Sequence, residues 1–116
     1  MECNNLFFAK LVEFVPELKK LYNQHLEDNN CLLSYVFMSD ITRFVIGKAI
    51  SSDQLSDVQV ILDTIESELS KGDDEFKNLV LASFVENLFG EEIAITKIYP
   101  MMGPILRAEI VAMRVI

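Results

Sequence analysis

A single all-α domain, a bundle of five to six helices, is what this chain of 116 residues predicts. Three observations lead there. Apolar residues recur at spacings of three and four along nearly the whole chain, the period of helices buried on one side. Turn chemistry is confined to a few short stretches (Pro16, DNN at 28–30, SSDQ at 51–54, KGDDE at 71–75, Gly90 and Gly103–Pro104), with no repeat, low-complexity tract or linker between them. The composition, 51% hydrophobic and 24% charged, suits a globular chain that can bury a core without disulfides or a metal. Residues 1–116 therefore read as one helical domain.

The first helix, NNLFFAKLVEFV, stops at Pro16, whose fixed φ suits the first turn of the second, PELKKLYNQHLED. DNN ends that helix, and LLSYVFMSDITRFVIGKA forms the third. Ser51 and Gln54 stand at capping-box spacing and open the fourth. On it Leu55, Val58, Leu62, Ile65 and Leu69 fall in one stripe, the core face, which leaves Asp53, Asp57 and Glu68 opposite and Asp63 on a flank. Gly72 closes the fourth helix, and Asp73, Asp74 and Glu75 begin the fifth, where negative charge meets the positive end of the helix dipole.

The fifth helix carries Phe76, Leu79, Val80, Leu81, Phe84, Val85, Leu88 and Phe89 at almost every angle, which predicts a central apolar helix near residues 75–89. Buried there, Glu86 would need a cation, with Arg43 the first choice and His25 the second. Gly90 ends this helix. After EEIAITKIY, Gly103 and Pro104 open a last helix, PILRAEIVAMRVI, whose β-branched residues would also suit a strand.

Charge is distributed unevenly. Residues 52–75 hold eight acids against Lys71 alone and so carry −7 of the net −8, while the flanks are nearly neutral. A sequence pI near 4.5 argues against nucleic acid or anionic membrane as partner, since both are polyanions that lysine and arginine must neutralise. The mean hydropathy of +0.27 raises the question of a membrane span, but the longest unbroken apolar runs fall far short of the roughly 18 residues needed. MECNN has an acid where a secretory leader has bases, so a cytoplasmic protein is expected, with Cys3 and Cys31 as reduced thiols.

Chemistry-bearing motifs are sparse. His25, with Glu27, Asp28 and Cys31 nearby, invites a metal or catalytic reading, but His25 lies among Leu18, Leu21, Tyr22 and Leu26 on the apolar side of its helix. A histidine so placed is more often a satisfied core residue. His25-Leu-Glu27 has only the first half of the zinc deaminase signature and lacks its paired thiolates. Four glycines, with no nucleophile elbow and no phosphate-binding loop, leave no catalytic residue, cofactor or metal to assign. The weaker enzymatic reading would have His25, Glu27 and Asp40 or Glu86 converge in a cleft.

The stretches PELKKLYNQHLEDNNCLLSYVFMSDITRFV and LDTIESELSKGDDEFKNLVLASFVENLF resemble a family of small acidic helical bacterial proteins, through HLED, VFMSDITR and SFVENL. Several of that family accompany secreted or contact-delivered toxins as immunity proteins. The resemblance covers 16–89 and leaves the last stretch unmatched. It implies an inhibitor with no catalysis of its own, set against a cognate toxin domain, a basic nuclease first. The charge argument reaches the same partner independently, because a nuclease site that attracts phosphate also attracts carboxylates. Asp57, Val60, Asp63, Glu66, Asp73, Asp74 and Glu75 are the candidate contact residues, with Val60 as an apolar anchor inside a charged rim. The alternative is an adaptor bundle that takes a basic peptide or helix in a groove. The apolar chain end AEIVAMRVI is a surface on which two copies could pair.

Overall fold

Proline, asparagine and glycine divide the helices close to where the sequence places them. The computed structural model describes residues 2–114, with side chains over 6–113. Val115 and Ile116, and the side chain of Cys3, fall outside that account. Helix α1 (Glu2–Phe14) meets α2 (Glu17–Asn29) at Pro16, which takes the N-cap position with φ −57°. Asn30 ends α2 in the left-handed region, φ 63°, and donates its N–H to the Leu26 carbonyl, as a helix C-cap does.

Helix α3 (Ser34–Ser51) runs further than its apolar pattern predicts, and this removes the expected capping box. Ser51 is still in the last turn of α3, where its hydroxyl donates to the Gly47 carbonyl at 2.6 Å. Ser52 takes over the local role by accepting from the Gln54 N–H at 3.0 Å, and α4 (Ser56–Leu69) starts later than predicted. Gly72, at φ 79°, turns the chain after α4, and the Asp73 carboxylate accepts from the Glu75 N–H at 2.9 Å to cap α5 (Asp74–Val80).

Helix α5 continues through a π-helical turn, Leu81–Val85, into α6 (Glu86–Leu88), so that the three segments form one fifth helix. The widened turn is held by side chains. The Ser83 carbonyl accepts from the Thr42 hydroxyl of α3 at 2.9 Å and from the Asn87 amide at 2.7 Å. Gly90, at φ 96°, ends the element. EEIAITKIY proves to be a helix of its own, α7 (Glu92–Ile98), extended by a 3-10 turn at Tyr99–Met101, and α8 (Pro104–Arg114) is helical despite its β-branched residues. Among the described residues there are seven helices and no strand, one helix more than the sequence predicts.

The core is one cluster built from every helix, with Phe7, Phe8, Phe37, Phe76 and Phe84 its largest fully buried side chains. A radius of gyration of 13.4 Å is that of a compact domain of this length, about 13 Å. Helix α3 packs against α2, α4, α7 and all three segments of the fifth helix, so it shares the centre with the latter.

The fifth helix is buried through Phe76, Leu79, Val80, Phe84, Val85 and Leu88, but Lys77, Asn78, Ala82, Glu86 and Asn87 stay exposed along one strip. The expected Glu86–Arg43 pair is therefore not formed. Glu86 is solvated and needs no counter-ion, while Arg43 pairs with Asp40 on its own helix. Glu86→Gln is expected to shift the thermal midpoint by no more than about 2 °C, since solvated surface changes stay within roughly 0.5 kcal/mol. A clear drop on differential scanning calorimetry would return Glu86 to the interior.

Candidate functional site: a groove between the first and fourth helices

Helix α1 lies against α4 and encloses two adjoining hollows that meet at Lys10. The larger, about 470 Å³, is lined by Leu6, Phe7, Lys10, Glu68, Lys71 and Asp73. The other, about 280 Å³, is lined by Lys10, Phe14, Val60, Asp63, Thr64 and Ser67. Leu6, Lys10 and Phe14 follow one another at four-residue spacing, so they form a single stripe on α1. That stripe is the groove's apolar wall, with Leu6 74% and Phe14 54% exposed. The facing wall is acidic and comes from α4 and the turn after it.

The sequence-predicted contact residues do not all face this groove. Asp63 does, exposed, with Oδ1 accepting from the Gln59 amide at 2.8 Å. Asp73 lines its far end while capping α5, and Asp74 and Glu75 lie exposed in the first turn just beyond. Asp57 is half-buried near the start of α4. Val60 does not project as the isolated helix suggests. The packing of α1 across that side leaves Val60 half-buried against the core at the floor of the smaller hollow.

Glu66 turns inward instead of joining the acidic rim. Its two carboxylate oxygens accept from the Ile105 and Leu106 N–H groups, each at 2.9 Å, at the first turn of α8. Those N–H groups have no partner within their own helix, and a carboxylate there satisfies both of them and the helix dipole. Glu68 pairs with Lys71 at 3.1 Å. Together with Lys10 from α1, this tempers the negative charge that the linear sequence concentrates at residues 52–75.

The cluster around His25 is a structural one. The ring is buried, Nε2 accepts from the Leu33 N–H at 2.9 Å, and Nδ1 lies 3.3 Å from the Asn29 amide nitrogen and 4.0 Å from Asp40 Oδ2. Committed to the backbone where α3 begins, Nε2 offers no lone pair to a substrate or metal. Of the acids in the enzymatic reading Asp40 comes within 4.0 Å of His25, while Glu27 and Glu86 lie exposed to solvent. Among the described residues no group of three histidine, cysteine or carboxylate side chains is placed to hold a metal ion. No described helix is long and apolar enough to cross a membrane.

Leu6, Lys10 and Phe14 are the residues that sequence reasoning missed. A signal for them existed, because once Phe7, Phe8, Leu11 and Val15 are assigned to the core, Leu6 and Phe14 are apolar residues left on the outer face of the same helix. Residues 8–115 match the family described as a domain of unknown function (DUF7674). The chain belongs to that family. No curated protein and no solved structure matches it. The family match covers α2 to α8 in full and the second half of α1, so both walls of the groove lie within it apart from Leu6 and Phe7.

Proposed function

We propose that this chain is an immunity-type inhibitor, without catalysis of its own, that binds a basic toxin domain, a nuclease first, through the groove between α1 and α4 and the acidic corner beside it. The observation that carries this reading is the pairing, in one groove, of exposed Leu6 and Phe14 with the carboxylates of Asp63, Glu68 and Asp73. Apolar anchors inside a charged rim supply what each lacks alone. The charges steer a cationic partner and fix its orientation, and the desolvated apolar contact slows its release. Nanomolar inhibition requires about −12 kcal/mol, which surface carboxylates seldom supply without such anchors. The acidic window, and the resemblance of residues 16–89 to a family of small acidic helical bacterial proteins that includes immunity proteins, support the nature of the partner.

The test recovers tagged protein from its own cells at 50 and 500 mM salt, beside Phe14→Asp and the double variant Asp63→Lys/Asp74→Lys, and assays each captured polypeptide for an activity that the chain blocks. One basic polypeptide, inhibited one-to-one, is expected, with affinity reduced about 100-fold by Phe14→Asp. The charge reversal should slow association and flatten its salt dependence. Phe14 is the cleaner probe, because Val60→Asp would also disturb packing against the core. Several partners held at micromolar strength would favour the adaptor reading. A captured set unchanged by both variants would remove the groove from the interface.

A further inference from the structure

We propose that the junction of α2 and α3 is a second protein-binding surface, separate from the groove between α1 and α4, and that it takes a basic polypeptide with a pocket for the Tyr35 ring. Three large side chains stand in water within four positions of the chain, Leu33 at 41%, Tyr35 at 44% and Val36 at 47% exposure. Ser34 and Phe37, between and after them, are buried, so the first turn of α3 is anchored in the core on one side and uncovered on the other. A tyrosine ring beside two aliphatic side chains has the composition of an interface centre, large in area and wet at one tip.

The junction is fixed before a partner arrives. Buried His25 accepts from the Leu33 N–H through Nε2, the Asn29 amide donates to the His25 carbonyl at 2.9 Å, and Asn30 caps α2 in the left-handed region. Anchors already held in one geometry bind at little cost in ordering.

Charge selects the occupant. Residues 21–42 contain Glu27, Asp28 and Asp40 and no lysine or arginine, within a flank that is near neutral as a whole. Asp40, 4.0 Å from His25, is neutralised by Arg43. Glu27 and Asp28 are exposed, and among the described residues no cation stands beside either. Both lie in the last turn of α2, within one turn of His25, where carboxylates oppose the negative end of the helix dipole and cost the free chain stability. A basic partner turns that cost into attraction. A second copy, related by a two-fold axis, would bring the same carboxylates to the same rim, and nucleic acid or anionic lipid would bring phosphates, so all three are repelled.

The full chain with p-benzoylphenylalanine in place of Tyr35, irradiated in its own cells, tests the proposal. One adduct is expected, with a polypeptide of basic sequence, reduced at least tenfold by Glu27→Lys/Asp28→Lys. The adduct should persist beside Phe14→Asp, which keeps this surface distinct from the groove. With that polypeptide purified, Tyr35→Ala should raise Kd about 30-fold. The charge reversal should also raise the thermal midpoint of the free chain by about 2–4 °C, because it places cations at the end of α2. Should it cost helicity instead, Glu27→Gln/Asp28→Asn serves in its place, with the adduct reduced about threefold. No adduct, an adduct of two copies of this chain or with an acidic polypeptide, one that the charge variants leave undiminished, or one lost with Phe14→Asp overturns the proposal.

Discussion

Phe37→Ala is expected to destabilise the fold by about 3–5 kcal/mol, the range for an aromatic ring removed from a packed interior. Phe37 lies in α3 and is fully buried, with its ring centroid 5.2 Å from that of Phe8, 5.4 Å from Tyr22 and 5.3 Å from His25. It thus joins α1, α2 and α3. The first two of these contacts are edge-to-face, a geometry that adds about 0.5–1.5 kcal/mol per pair beyond area burial. His25 cannot move into the vacated space without giving up the Leu33 N–H, so the site will collapse only in part. A domain of this size has roughly 5–15 kcal/mol in total, so the variant should be marginal at 37 °C. Urea unfolding followed by circular dichroism checks this, and a loss below about 1.5 kcal/mol with an unchanged slope would mean that the surrounding helices close the gap.

The second expected result is that Glu66→Ala and Gly103→Ala each cost about 2 kcal/mol and, combined, cost little more than either alone. Glu66 satisfies two backbone donors at the start of α8, and hydrogen bonds to a charged group are worth about 1.5–3 kcal/mol each when one partner is removed. Partial exposure and water that enters the vacated site place the expectation below the sum of the two. Gly103 has no side chain for a reason of space, since a Cβ there would overlap Cγ and Cδ of Glu66. Alanine at 103 must therefore push the carboxylate off the helix end and lose the same two bonds.

With Glu66 already shortened, Gly103→Ala has nothing to displace. The coupling should be close to the whole of one single effect, far above the few tenths expected of unconnected sites. Each single variant should lower the thermal midpoint by roughly 8 °C, and faster amide exchange should be confined largely to α8. Additive losses would show that glycine at 103 serves some purpose other than admitting Glu66.

Much of the fold was legible in the sequence because helix formation and helix ending are local. Periods of three and four located α1 to α5 and the core stripe Val58, Leu62, Ile65 and Leu69, and Pro16, Asn30, Gly72 and Gly90 fall at or next to the observed ends. The reading erred where a boundary depended on how far a neighbouring helix extends. Ser51 was available as a cap only if α3 stopped short of it, and packing against six other segments carries α3 through that position. The candidate site was half legible for a related reason. Its acids stand out in the linear charge count, but the α1 wall, Leu6 and Phe14, does not come near them in sequence.

The all-α class, the number of helices to within one, and the concentration of negative charge at residues 52–75 are all legible in the linear chain. Each follows from interactions within about four residues or from a sum over residues, and neither needs to know what lies across the core. Which of those charges face water depends instead on long-range packing. Glu66 was drawn to α8 from 39 positions away, and Val60 was covered by α1. Glu86 kept its hydration because the fifth helix is enclosed on most sides but not all. The angular position of a residue on a helix is a local property, whereas its burial depends on which distant segment packs against that angle.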